Sequence, residues 1–337
     1  MTTRRPRVAL VHISPSGTAS FVQCDLDILE ARYEVRPLRY RGWRDTTRLL
    51  RVIASSNVVV SWFAWDHALW AFRIAKALGK PSILITGGFD VVGLPDIGYG
   101  SLLHPSSAKR VRTVVRTATR VIAISNSIRI SVSNFSNRSD IELIPLGFDP
   151  ERIPFSAEKE PIVITVGSIT ASNLVRKGME TFIEIARSMP ETQFALIGEI
   201  GADVRPDLRT QVPSNLHLTG HLPGQALFRW LQRAKVYVQL SAHEGFGAAV
   251  AEAMLAGCVP VVSDRGALPE VVGDAGLQVP WGDFDSARHA ITIALGAPQI
   301  ASIRSRNRIA SLFPLDRRRD ALLAAVGSLL KRDSTAS

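Results

Sequence analysis

The sequence predicts an α/β protein built as two Rossmann-like, doubly wound parallel-sheet domains facing a cleft. Three observations carry this prediction. At 337 residues the chain has the length of about two domains. With 46% hydrophobic and 21% charged residues it has a globular composition rather than a disordered one. Strand-length apolar runs alternate with helical segments, pause near residues 148–160, and then restart in the same order. That alternation is the signature of βαβ units and of a parallel sheet.

In chain order, residues 8–13 read as a buried strand, followed by a Ser14-Pro15-Ser16-Gly17 turn and a helix over 20–32. Strands are expected near 33–38, at 58–63 and at 82–86. Between the last two lies a helix over 65–78 that Gly79 ends. A basic helix over 110–117 leads into strands at 120–124 and 141–145. The second half repeats this pattern: strands at 162–166, 192–197, 217–219 and 236–240, with helices over 179–188 and 225–233. The expected domains are 1–152 and 153–315, followed by a C-terminal segment 316–337. Within that segment a helix is expected over 317–330, followed by a short polar tail.

Residues 240–280, LSAHEGFGAAVAEAMLAGCVPVVSDRGALPEVVGDAGLQVP, are the most informative stretch. From Gly245 to Val262 the only carboxylate is Glu252, inside an apolar helical run over 247–256. An ionised carboxylate there is costly without a partner. Eight positions earlier Glu244 precedes a Gly-Phe-Gly turn, and a wholly helical run would set the two Glu Cα atoms roughly 12 Å apart. Gly245 and Gly247 leave backbone N–H groups approachable at a helix start, a ready anion site. A second cluster has cations in place of carboxylates. Val166-Gly167-Ser168 ends a strand, and Arg176-Lys177-Gly178 precedes a helix. A strand-end glycine followed by cations at the next helix suits a diphosphate. Glutamates accept from sugar hydroxyls, and cations with a helix N-terminus donate to phosphates. Hydroxyl, phosphate, hydroxyl is the outline of a nucleotide diphosphate sugar.

The Glu-x7-Glu spacing, HEGFG before it and the G-C-V-P-V-V-S-D and P-E-V-V-G-D-A-G segments after it resemble the donor-binding signature of family 4 of the retaining glycosyltransferases. These enzymes, the glycosyl transferases group 1, adopt the GT-B fold. The resemblance implies an N-terminal acceptor domain and a C-terminal nucleotide-sugar donor domain. It also implies a retaining, metal-independent transfer of a hexosyl unit to a hydroxyl on a glycan or lipid-linked acceptor. By the same resemblance Glu244 holds the donor sugar, Glu252 takes the ribose diol, and the backbone of Gly245, Phe246, Gly247 and Ala248 meets the distal phosphate. Lys177 matches the family's diphosphate-gripping Lys. Where the family has an Arg after Gly167, this chain has Ser168, so Arg176 is the expected substitute cation, with Ser172 and Asn173 as extra donors. No cofactor beyond the nucleotide-sugar substrate is expected. One alternative is a non-catalytic nucleotide-sugar-binding partner of another transferase. Another is a nicotinamide-dependent Rossmann enzyme, although no G-x-G-x-x-G follows either first strand.

The first half departs from the family pattern. Gly17 sits where members place a pair of glycines against the donor phosphates, and an ordinary turn accounts for it equally well. Many members carry a His near Thr86-Gly87-Gly88-Phe89-Asp90. This chain has none, and Asp90 is the substitute catalytic candidate, because the C-terminal ends of doubly wound strands face the ligand crevice. The competing reading is that Asp90 caps the turn. His12 and His104 are read as structural, and Asp96 and Tyr99 as shaping an acceptor pocket. Asp25-Leu26-Asp27 and Asp283-Phe284-Asp285 spell a metal-binding D-x-D but lack a strand-end setting, so no metal site is expected.

Residues 1–155 carry 21 Lys and Arg against 12 Asp and Glu, whereas 156–337 carry 19 against 18. The basic runs lack interleaved aromatics and no nucleic-acid motif accompanies them, which disfavours nucleic acid. An anionic bilayer suits the basic half better. With Cys24 and Cys258 alone and far apart, no signal peptide visible and no apolar run of ~18 residues, the expectation is a cytoplasmic protein, peripheral at the inner membrane face.

Overall fold

Two six-stranded sheets, every strand pair parallel, organise the protein. The computed structural model describes residues 5–13, 19–205 and 208–334. The first sheet contains β1 (Arg7–His12), β2 (Glu34–Arg39), β3 (Val58–Trp62), β4 (Ser82–Thr86), β5 (Arg120–Ala123) and β6 (Ile141–Leu143), in the order β2-β1-β3-β4-β5-β6. The second contains β7 (Glu160–Val166), β8 (Gln193–Ile197), β9 (Leu216–Gly220), β10 (Ala234–Gln239), β11 (Val259–Ser263) and β12 (Leu277–Val279). Its order is β12-β11-β10-β7-β8-β9. Strand order therefore reverses between β1 and β3 in one sheet and between β7 and β10 in the other. A crevice opens beyond the strands' C-terminal ends at such a reversal, and open α/β sheets bind ligands there.

The central strands β3, β4 and β11 are buried along their whole length. They are mostly apolar because helices cover both faces of a parallel sheet. Compact packing divides the chain into residues 1–147 with 315–337, and residues 148–314. In the first unit the helix Leu315–Ser334 is fixed by Arg318, which is 3% exposed. Its guanidinium donates to both carboxylate oxygens of Asp25 at 2.7 Å, and to the carbonyls of Ile144 and Pro145 at 3.0 and 2.8 Å. Trp62 Nε1 adds a third donor to Asp25 at 2.9 Å. Asp25 thus sits in a buried ion pair, and Asp283 caps the helix Phe284–Leu295 by accepting from the Ser286 N–H at 2.9 Å.

Several helices fall outside the sequence expectation. Thr46–Ala54 lies in the Arg-rich stretch, and Asn126–Ser136 is rich in Ser and Asn, yet Ser125 caps the latter and Ile128 and Val132 anchor it. The segment 170–175, which joins the strand-end glycine to Arg176, is mostly the short helix Ala171–Arg176, capped by Thr170.

Candidate functional site

At the β7/β10 reversal the chain builds a polar site into an apolar frame. Along β10 the side chains alternate. Val236, Val238 and Leu240 enter the hydrophobic core, while Tyr237, Gln239 and Ser241 share the other face. Those three polar groups are linked. Tyr237 Oη donates to Gln239 Oε1 at 2.9 Å, Gln239 Nε2 donates to Ser241 Oγ at 2.7 Å, and Ser241 Oγ donates to Glu244 Oε1 at 3.0 Å. Burial, with the Glu244 charge nearby, pushes the Tyr237 phenol well up, so it stays a neutral donor. Neither Gln239 nor Ser241 was expected from the sequence. Their signal is a period-two run of polar residues in a central strand.

Glu244 is the hub. Lys177 Nζ lies 3.3 Å and Arg176 Nη1 3.8 Å from Glu244 Oε1. Burial alone would raise the Glu244 pKa, but Lys177, Arg176 and the Ser241 hydroxyl outweigh it and hold the carboxyl below its ordinary value. Glu244 is therefore ionised at neutral pH. Arg176 is steadied by Asn173, whose side-chain oxygen accepts from its Nε and Nη2 at 3.2 and 2.7 Å. The amide nitrogen of Asn173 donates to the Ser168 carbonyl at 2.8 Å. Asn173, expected as a phosphate donor, thus bridges Arg176 and the Ser168 carbonyl. Ser168 is exposed at the end of this loop. At Gly167 an added Cβ would stand 3.1 Å from Lys177 Cδ, so the absent side chain lets the lysine lie against the strand end.

Gly178 shows why the Arg-Lys-Gly sequence ends as it does. Its φ is +66°, and an added Cβ would lie 2.4 Å from the Leu240 carbonyl oxygen, on β10's extension. Gly178→Ala should destabilise the second unit by about 2–3 kcal/mol. Urea unfolding checks this, and a loss below half that figure would contradict the steric account.

Gly247 (φ +97°) caps the helix Ala248–Leu255. The stretch 244–247 is thus a turn rather than helix, and the wholly helical spacing of the two glutamates does not apply. Phe246 is 4% exposed, its ring packed on Phe148 and Phe313 at 5.8 and 5.2 Å between centroids. Its side chain is therefore core, and only its backbone is placed with that of Gly245, Gly247 and Ala248 at the helix start. Among the described residues no hydrogen-bond or ion-pair partner meets the Glu252 carboxylate, and burial pushes its pKa up to about 7.

A carboxyl with a raised folded pKa stabilises the native state below its unfolded value near 4.5, and that contribution is lost as pH rises through about 7. Glu252→Gln should therefore be more stable than the parent by about 1–3 kcal/mol at pH 8, and nearly equal to it at pH 4.5. Urea titrations at the two pH values test this, and a pH-independent difference would refute it.

The first unit distributes its expected residues differently. Asp90 is fully buried, and its oxygens accept from the Ala64, Gly87 and Gly88 N–H groups at 3.0, 3.2 and 2.9 Å. Asp90, the catalytic candidate of the sequence, thus caps the turn after β4, and burial pushes its pKa up despite those bonds. His104 is exposed, and His12 is buried beside Arg39. Asp96 is exposed, while the Tyr99 ring meets Phe89 edge-on at 5.0 Å. Gly17 lies outside the described residues. Among those residues, no group of three His, Cys, Asp or Glu side chains is arranged to hold a metal ion.

Two parallel six-stranded Rossmann-like sheets, with this polar cluster at the switch point of the second, define the GT-B class. Residues 160–296 match the family model of the glycosyl transferases group 1. The chain is 26% identical over 254 residues to GDP-mannose:cellobiosyl-diphosphopolyprenol alpha-mannosyltransferase of Xanthomonas campestris, covering 66% of this chain and 61% of that protein. The chain thus spans about three fifths of that relative's length. In fold it is similar to Anabaena HepE in complex with UDP (TM-score 0.80, 13% identity, 96% of this chain and 100% of that one). It is likewise similar to sucrose-phosphate synthase of Thermosynechococcus elongatus (TM-score 0.77, 18% identity, 99% and 100%).

Proposed function

We propose that the protein transfers a hexosyl unit from a nucleotide diphosphate sugar to a hydroxyl of a glycan or lipid-linked acceptor, with retention and without a metal. One observation carries this reading: an ionised carboxylate, Glu244, ringed by Lys177 and Arg176 at a sheet's switch point, with the partnerless carboxylate of Glu252 on the helix that follows. In this reading Lys177, Arg176 and the N–H groups at Gly247 and Ala248 take the diphosphate. Glu252 accepts from the ribose diol, and Glu244 orients the donor sugar. As the sugar–phosphate bond breaks, negative charge grows on the departing diphosphate. The fixed cations and N–H dipoles favour that charge without reorganising. The leaving phosphate receives the acceptor hydroxyl's proton on the same sugar face, so the protein supplies orientation and charge rather than a nucleophile. The units 148–314 and 1–147 with 315–337 act as donor and acceptor domains.

The test is thermal-shift screening against nucleotide diphosphate sugars, with UDP included because HepE was solved with it. Release of nucleotide diphosphate with candidate acceptors is then assayed in the presence of chelator. Stabilisation by one donor and chelator-insensitive turnover are expected. No response to any nucleotide diphosphate would overturn the reading.

We further propose that the basic first unit works at an anionic membrane face. No described helix is long and apolar enough to cross a membrane. Support comes from exposed Trp43, Leu50 and Trp70, with Arg44 and Arg73 over the two indoles. Co-sedimentation with vesicles containing phosphatidylserine should be strong at low ionic strength and fall in high salt. Equal recovery with neutral vesicles would remove the charge-based contact.

A further inference from the structure

Every hydrogen bond that the described residues give the Glu244 carboxylate arrives at one of its two oxygens. Ser241 Oγ lies 3.0 Å, Lys177 Nζ 3.3 Å and Gln239 Nε2 3.5 Å from Oε1. Arg176 Nη1 stands 3.8 Å from the same atom. Oε2 accepts none among those residues, and it is not sealed from solvent, the side chain keeping 17% of its surface exposed. A carboxylate turns easily about its last bond, and its two oxygens are then interchangeable. Here they are made different. Oε1 is saturated by the protein, and Oε2 is left to whatever enters the site.

The groups behind Oε1 form a chain with one direction. An ionised carboxylate only accepts, so Ser241 donates its single proton to Glu244 and accepts from Gln239 Nε2 at 2.7 Å. That orients the Gln239 amide, whose oxygen accepts from Tyr237 Oη at 2.9 Å. Aligned bonds of this kind polarise one another. Ser263 Oγ fixes the strand end by donating to the Ser241 carbonyl at 2.5 Å. Tyr237, Ser241 and Ser263 are fully buried, and Gln239 is 1% exposed. Buried neutral pairs bring a strand little net stability, since apolar side chains of the same shape serve about as well. Val236 and Val238 do so on the other face of β10. What the polar chain adds is a direction at Glu244. It is also uncharged. A bound anion draws Lys177 and Arg176 toward itself but has no such pull on Ser241 and Gln239, so their hold on Oε1 persists.

We propose that Ser241 and Gln239 are positioning residues that set the donor-sugar specificity of the transfer. By holding Oε1 they fix the carboxylate plane of Glu244, so that Oε2 accepts from one sugar hydroxyl in one direction. A fixed acceptor rejects the epimer whose hydroxyl points elsewhere, because that epimer leaves a desolvated polar group unpaired. Tyr237 steadies Gln239 from the far end of the chain. This role rests on the transferase reading above and adds to it what selects the sugar.

Release of nucleotide diphosphate by the full chain, with water as acceptor, is measured on UDP-glucose, UDP-galactose, GDP-glucose and GDP-mannose. Within each pair the sugars differ at one hydroxyl. Ser241→Ala and Gln239→Met should each lower kcat for the preferred donor about tenfold, while Kd for UDP or GDP alone stays within about twofold. Discrimination within the preferred pair, as a ratio of kcat/KM, should shrink at least about fivefold. Ser241→Thr keeps the hydroxyl and should retain both the rate and the ratio. In a Glu244→Gln background Ser241→Ala should change kcat less than about twofold, because the orientation it sets no longer matters. Rates and epimer ratios equal to the parent's in both Ser241→Ala and Gln239→Met would overturn the proposal. So would losses that multiply with that of Glu244→Gln, the mark of a general structural effect. A parent that releases nucleotide from none of the four donors would instead sink the hexosyl-transfer reading, and this role with it.

Discussion

Lys177→Ala should lower kcat for a transferable nucleotide diphosphate sugar by about 10²–10³-fold, the effect of removing one group aimed at charge that develops in a transition state. Lys177 Nζ stands 3.3 Å from the Glu244 carboxylate, so the substitution also leaves that carboxylate with Arg176 at 3.8 Å as its remaining cation. The Glu244 pKa should then move upward, since burial would no longer be offset to the same degree. Lys177→Arg keeps the charge but not the compact ammonium, and should recover part of kcat. Steady-state kinetics on folded variants decide the matter. A kcat within about twofold of the parent would show that the lysine serves only the ion pair.

Arg318→Ala should destabilise the first unit by about 3–5 kcal/mol, the cost of stranding one member of a buried ion pair. Asp25 would keep only the Trp62 N–H, and the Ile144 and Pro145 carbonyls would lose their donor. Arg318→Lys should restore little, because an ammonium cannot reach both carboxylate oxygens and two carbonyls in one plane. Urea unfolding followed by two probes, Trp62 environment and nucleotide binding by the second unit, should show the first transition moving alone. A coincident shift of both would mean that the two units unfold together.

The fold was largely legible because it is written in periodicity. Apolar runs such as Val58-Val59-Val60 have only one use in a doubly wound sheet, and β3, β4 and β11 are buried throughout. What escaped lay where tertiary context overrides local preference. Asn126–Ser136 has no strong apolar stripe to announce it, and its capping by Ser125 is visible only once β5 has ended. At the site, Glu244, Glu252, Lys177 and Arg176 could be picked out because charge inside an apolar stretch demands a partner. Gln239 and Ser241 were hidden because neutral polar residues make no such demand, although their spacing with Tyr237 puts them on one face. Asp90 was ambiguous for a related reason. A carboxylate after two glycines suits a crevice or a cap equally, and only the positions of the Ala64, Gly87 and Gly88 N–H groups separate the two.

The Arg318–Asp25 bond also bears on how the polypeptide is made. Residues 148–314 form one uninterrupted unit, whereas the first unit needs a helix that begins at residue 315. During synthesis from the N-terminus, the 148–314 unit can therefore complete its core while β1 to β6 still lack the helix that seals them. Until Arg318 arrives, Asp25 is a charge without its counterion beside an uncovered apolar face, a state open to chaperones and to aggregation. Substitutions near the C-terminal helix should accordingly reduce yield in cells more than they reduce the activity of the molecules that do fold.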